Sequence, residues 1–142
     1  MQRQEFEKLV AEGFERLPLW VREKIQNVAV LVEDEPSEED RKREGLTEHE
    51  TLLGLYKGIP LAVRGEYYGV GMTLPDTITL YQLPIEEAAK ASLRDVRPTH
   101  REDEAFRAAV RKEVEDTIWH ELAHHFGMDE GEVRKRERSA PR

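Results

Sequence analysis

Apolar residues recur along the chain first at helical spacing, then at strand spacing. Phe6, Leu9, Val10, Phe14 and Leu17 fall three or four residues apart, which predicts an opening amphipathic helix. Pro18 stands where a second, short helix would begin, continued by "LWVREKI". "NVAVLVE" (27–33) is a β-branched apolar run and predicts a buried strand. "TLLGLYKG" (51–58) predicts a second strand. "DTITLYQ" (76–82) sets Thr77, Thr79 and Tyr81 against Ile78, Leu80 and Gln82, the period of a half-exposed strand. Pro84 starts a short helix, "PIEEAAKASL". Thr99 and Glu102 form a capping box, and the chain then runs without Gly or Pro to Phe126. Gly127 suits the left-handed position that ends such a helix.

Between these elements the apolar pattern lapses. Residues 34–50 hold eight acidic and three basic residues and almost nothing apolar. They predict a solvated, mobile loop with one helical turn after Ser37. Residues 58–75 contain four glycines and two prolines, an irregular, turn-rich stretch. No internal repeat and no domain boundary interrupts the sequence, so the expected organisation is a single domain over 1–142, ending in a basic tail at 132–142. The fold class expected is α+β, a small mixed sheet beside one long helix.

Composition narrows the chemistry. The 142 residues suffice for a hydrophobic core without staples, and the absence of cysteine excludes disulfides, thiolate metal sites and cysteine nucleophiles. A site for a soft metal must therefore use His and carboxylate. The net charge of −8 argues against nucleic acid as a partner. The N-terminus has no apolar run of the signal-peptide kind, and no stretch approaches the ~20 apolar residues of a membrane span. The expectation is a soluble cytoplasmic protein that does not engage membranes. Abundant Glu, Lys and Arg with a single Asn is a thermophile-like composition, which bears on the source and not the function.

"TIWHELAHHFGMDE" (117–130) carries the candidate chemistry. At about 100° per residue, Thr117, His120, Glu121 and His124 share one third of the helix circumference. Ile118, Trp119, Leu122, Ala123 and Phe126 cover the opposite side, and His125 falls at the border. Residues four apart are neighbours on a helix, so the imidazoles of His120 and His124 can hold one ion. Zinc accepts two such nitrogens together with a carboxylate and a water. Glu121 is displaced around the helix from the pair. It is placed to take a proton from the attacking water and pass it to a leaving amine. Past Gly127 the chain can turn back toward the His pair, which makes Glu130 the candidate third ligand and Asp129 its substitute. Glu132 and Glu137 are poorer candidates because too little chain follows.

"HELAHHFGMDE" resembles the minimal zincins, small bacterial zincin-like zinc metallopeptidases with the pattern His-Glu-x-x-His-His-Phe-Gly followed by acidic residues. The resemblance extends to "NVAVLVEDEP", "LLGLYKGIPL" and "LPDTITLYQLPI". It implies a zincin-like fold, zinc on His120 and His124, Glu121 as general base and a peptide or protein substrate. The family pattern has Asp where this chain has Glu130, so both acidic residues remain candidates. In zincins generally an edge strand above the active helix pairs with extended substrate, and "TITLYQ" is the candidate here. His125 is a candidate for oxyanion stabilisation or for holding a neighbouring carboxylate. Tyr67, Tyr68 and Tyr81 are candidate donors to a tetrahedral intermediate. His49 and His100 read as surface residues. Two rivals accompany the peptidase reading: a catalytically silent scaffold that binds peptide or metal, and a metal hydrolase acting on a non-peptide amide.

Overall fold

The computed structural model describes residues 1–58, 76–94 and 102–125. Along the chain run α1 (Arg3–Glu15), α2 (Leu19–Lys24), β1 (Val28–Glu33), α3 (Glu38–Arg43), β2 (Gly54–Lys57), β3 (Asp76–Tyr81), α4 (Gln82–Ser92) and α5 (Glu102–His125). The architecture is α+β and consistent with a zincin-like fold. The predicted capping residue Thr99, with Phe126, Gly127 and the basic tail, lies outside the described residues.

The hydrophobic core gathers around α5. Val110, Val114, Ile118 and Leu122 repeat every four residues and are buried, with Trp119 and Ala123 on the adjoining row. Each full burial of such a side chain is worth about 1.5–3 kcal/mol over leaving it exposed. Helix α1 lays Phe6, Leu9 and Val10 into the same core. Its Gly13 permits the close crossing: a Cβ there would stand 3.1 Å from Val114 Cγ1 and 3.3 Å from the Arg111 carbonyl. Helix α2 packs by an edge-to-face contact of Trp20 with Trp119, ring centroids 5.1 Å apart. Helix α4 adds Ile85 and Ala89. It begins at Gln82, two residues before the predicted start. Arg3 ties α1 to the sheet: Nε donates to Gln82 Oε1 (2.8 Å), one terminal nitrogen donates to the Val32 carbonyl (3.1 Å), and the other pairs with Asp34.

The sheet has the order β1-β3-β2, with β1 parallel and β2 antiparallel to β3. Two expectations change here. The strand expected at the edge, β3, is central, with a neighbour on each side; its residues 78–81 are all buried. The strand expected to be buried, β1, pairs only with β3 among the described residues, and Leu31 is 45% exposed. Alternation misleads here because both faces of β3 are covered. Ile78 and Leu80 face α5. Thr79 and Tyr81 turn the other way and are buried there too, with Asp40 of α3 beside the Tyr81 hydroxyl.

Segment 34–50 is exposed at most positions, as its composition predicts, and α3 is the helical turn expected after Ser37; Pro36 and Asp40 are its buried residues. Ser37 caps α3, its Oγ accepting from the Asp40 N–H at 3.1 Å. Acidic residues fill the first turn and basic ones the last, the arrangement that suits the helix dipole. Asp40 is only 6% exposed and forms an ion pair with Lys57 of β2 at 2.8 Å. The Lys57 hydrogen bond, opposed by burial, holds its carboxyl below the usual carboxylate range. A depressed carboxyl pKa stabilises the fold fully above the unfolded value, about 4, and that contribution is lost as pH falls through the depressed value. Asp40→Asn is accordingly expected to lower stability by about 1–2 kcal/mol at pH 7, the lower part of the range for charged hydrogen bonds because Lys57 is half exposed. Urea unfolding at pH 7 and pH 3 checks this: the gap between parent and variant should shrink at the lower pH, and an equal gap at both would refute the ion pair as the docking contact.

Candidate metal centre and active site

The motif occupies the last turns of α5. Thr117, Ile118, Trp119, Leu122 and Ala123 are buried, whereas His120 and Glu121 are half-buried and His124 and His125 are exposed. A helix that is apolar on its remaining sides thus opens at the His pair. The His120 Nδ1 lies 2.8 Å from the carbonyl oxygen of Asp116, one helical turn earlier. A carbonyl only accepts, so Nδ1 carries the proton and Nε2 the ring's lone pair. This is the manner in which a metal-binding imidazole is commonly oriented by its surroundings. Two imidazoles with a carboxylate form a donor set that fits zinc.

Among the described residues, no three His, Asp or Glu side chains come together closely enough to hold a metal. The candidate third ligands, Glu130 and Asp129, lie outside those residues. Glu121 shares the face with the pair but is committed elsewhere. Its Oε2 accepts the backbone N–H of Tyr56 in β2 at 3.3 Å. Burial pushes the Glu121 carboxyl above the usual carboxylate range; the charge of Glu44 adds to this, while the Tyr56 N–H and the two histidines oppose it. A half-buried carboxyl held above its ordinary pKa has the character of a general base or acid.

Strand β2 reaches this position through a close approach. A Cβ on Gly54 would lie 2.6 Å from Thr117 Cγ2 and 3.0 Å from the Thr79 carbonyl, so only glycine lets the strand sit this near α5. In the antiparallel ladder Leu53 accepts from the Tyr81 N–H. The alternation of that ladder turns Tyr56 N–H outward, away from β3, toward the helix. Among the described residues the edge strand facing the His pair is thus β2, and β3 cannot add a substrate strand because both its sides are paired.

Three other candidates are also placed. Tyr81 is fully buried on the face of the sheet that Asp40 of α3 approaches. Its hydroxyl lies beside Asp40 without a well-formed hydrogen bond and is pushed up to about 12, mainly by burial. His49 is exposed as expected. His125 stacks on Tyr56, ring centroids 3.9 Å apart, with its Nε2 3.9 Å from Asp76 Oδ2. Tyr67, Tyr68 and His100 lie outside the described residues. Sequence reasoning missed Tyr56 and Asp76. A signal was available: Gly54, Tyr56 and Gly58 alternate on one strand face, small-aromatic-small, as a face in close contact with another element requires.

No helix among the described residues is long and apolar enough to cross a membrane. No curated protein sequence matches the chain. A solved structure of a conserved hypothetical protein from Thermo thermophilus is similar, with 22% identity, a TM-score of 0.48, and coverage of 90% of this chain and 100% of that one. The sequence profile described as zincin-like metallopeptidase matches residues 25–140, from the end of α2 through the whole of α5 and beyond. The chain belongs to the zincin-like metallopeptidase family.

Proposed function

We propose that the protein is a zinc-dependent peptidase that hydrolyses peptide bonds in an extended segment of a peptide or protein. The observation that carries this reading is the placement of Glu121: half-buried, beside His120 and His124, and fastened by one oxygen to the edge strand β2. Zinc, when bound, would acidify an attacking water and polarise the scissile carbonyl. His120 and His124 would hold it, with Glu130 or Asp129 completing the set. The Asp116 carbonyl accepts from His120 Nδ1, so that Nε2 would be the ligating atom of that ring. Glu121 takes the proton from water as attack begins and delivers it to the departing amine. In place of the predicted "TITLYQ", β2 is the strand to which an extended substrate adds, through outward backbone groups other than the Tyr56 N–H that Glu121 occupies.

The test is digestion of a broad peptide library by zinc-loaded protein, read by mass spectrometry, with chelated and metal-restored controls. Cleavage that vanishes with chelator and returns with zinc supports the reading. A zinc-loaded protein that cleaves nothing across the library overturns it in favour of a silent scaffold. Cleavage confined to non-peptide amides favours the hydrolase alternative.

A further inference from the structure

Tyr56 is held from three directions at once. Its backbone N–H donates to Glu121 Oε2 at 3.3 Å. Its hydroxyl donates to Asp76 Oδ2 at 2.6 Å, a short bond to a carboxylate and of the stronger kind. Its ring stacks on His125 with an interplanar angle of 24°. These contacts lie on one face of the sheet. Tyr56 pairs with Ile78, so Asp76 is its diagonal neighbour, two residues along β3. The ladder between β2 and β3 ends at Lys57 and Thr77. The tether to Asp76 therefore spans the place where strand pairing stops, and the stack joins that place to the last turn of α5.

We propose that Tyr56 is a positioning residue for Glu121: its tether to Asp76 and its stack on His125 fix the distance of β2 from α5, and thereby aim the Glu121 carboxylate. The inference deepens the peptidase reading and rests on Glu121 being the base there. A glutamate has three rotatable side-chain bonds, and half-burial alone does not choose among its rotamers. A backbone donor at a set height selects one of them, with one oxygen on the strand and the other left to turn toward the reacting water. Pre-organisation of this sort matters because an error of about 1 Å at a reacting group can cost about a hundredfold in rate.

The test uses the full chain, metal-free and zinc-loaded, with Tyr56→Phe, Asp76→Ala and Asp76→Asn. Tyr56→Phe removes the hydroxyl bond and keeps the ring; Asp76→Asn keeps an acceptor oxygen. The first readout is amide hydrogen exchange by NMR and needs no turnover. The amide of residue 56 should exchange about tenfold faster in Tyr56→Phe and Asp76→Ala, as it should in Glu121→Ala. It should stay near parent in Asp76→Asn. The amides of residues 55 and 57, on the inward side of the ladder, should not move. The second readout is hydrolysis: Tyr56→Phe should lower kcat by about three- to tenfold with KM, zinc content and melting temperature unchanged. On a Glu121→Gln background it should have no further effect, because no base remains to be aimed. Parent-like exchange at residue 56 in both Tyr56→Phe and Asp76→Ala overturns the proposal, and so does an equal loss of rate with and without Glu121. If the exchange results hold while the zinc-loaded parent cleaves nothing, the tether stands and the peptidase reading falls.

Discussion

Alanine at both His120 and His124 is expected to abolish zinc binding, where the parent chain takes up about one zinc. The two residues stand one turn apart on α5, and the ring of His120 is already oriented by the Asp116 carbonyl. His124 is exposed and His120 half-buried, so neither substitution empties the core, and circular dichroism should show the helix intact. Groups that merely orient a ligand change metal affinity by about ten- to a hundredfold, so loss of a ligand should cost at least that much. Titration of zinc into Glu130→Ala and Asp129→Ala separately then identifies the third ligand as the variant with the larger loss. Elemental analysis of metal-loaded protein is the direct check. A double His variant that keeps zinc as well as the parent removes the metal centre from α5, and unchanged affinity in both carboxylate variants removes the third ligand from the segment after Gly127.

Glu121→Gln is expected to lower the rate of hydrolysis by about 10²- to 10⁴-fold, the usual contribution of a general base, and to leave zinc bound. Glutamine is nearly isosteric and its carbonyl oxygen can still accept the Tyr56 N–H, so the strand should remain seated on α5. What it lacks is the capacity to carry a proton between water and amine. The combination of retained metal and lost turnover separates a base from a ligand, since a ligand would lose both. Cleavage by Glu121→Gln at the parent rate would refute the mechanism. A silent scaffold predicts a different pattern, in which altering Glu121 weakens peptide binding and there is no turnover to lose.

How much of the site is legible in the sequence depends on whether its parts are local. The His-Glu-x-x-His spacing lies within two turns of a single helix, and α5 spans Glu102–His125 as its uninterrupted pattern predicts. Helical geometry alone therefore brings the two imidazoles and the carboxylate to one side. The opening helix and all three strands are legible for the same reason, because a period of 3.6 or 2 is a property of a short window. Segment 34–50 is exposed at most positions, as its charge predicts, and the helical turn after Ser37 is present. The Ser37 cap and the acidic-to-basic sequence of α3 are visible there, but the burial of Asp40 depends on Lys57 arriving from β2.

Strand order lies on the other side of that division. Alternation reports that one face of a strand is apolar, and it says nothing about which strands flank it. The central place of β3 and the edge place of β2 follow from the parallel pairing with β1 and from what covers each face of the sheet. The Glu121 contact is of the same kind: its donor is a backbone amide 65 residues earlier, without any side-chain signature in the sequence. The sequence by itself determined the elements and the row of metal-binding candidates, since both follow from local backbone periodicity. Tertiary structure alone decided which edge faces that row and what holds the base, since hydrogen bonds between distant segments form only once packing has set their separation.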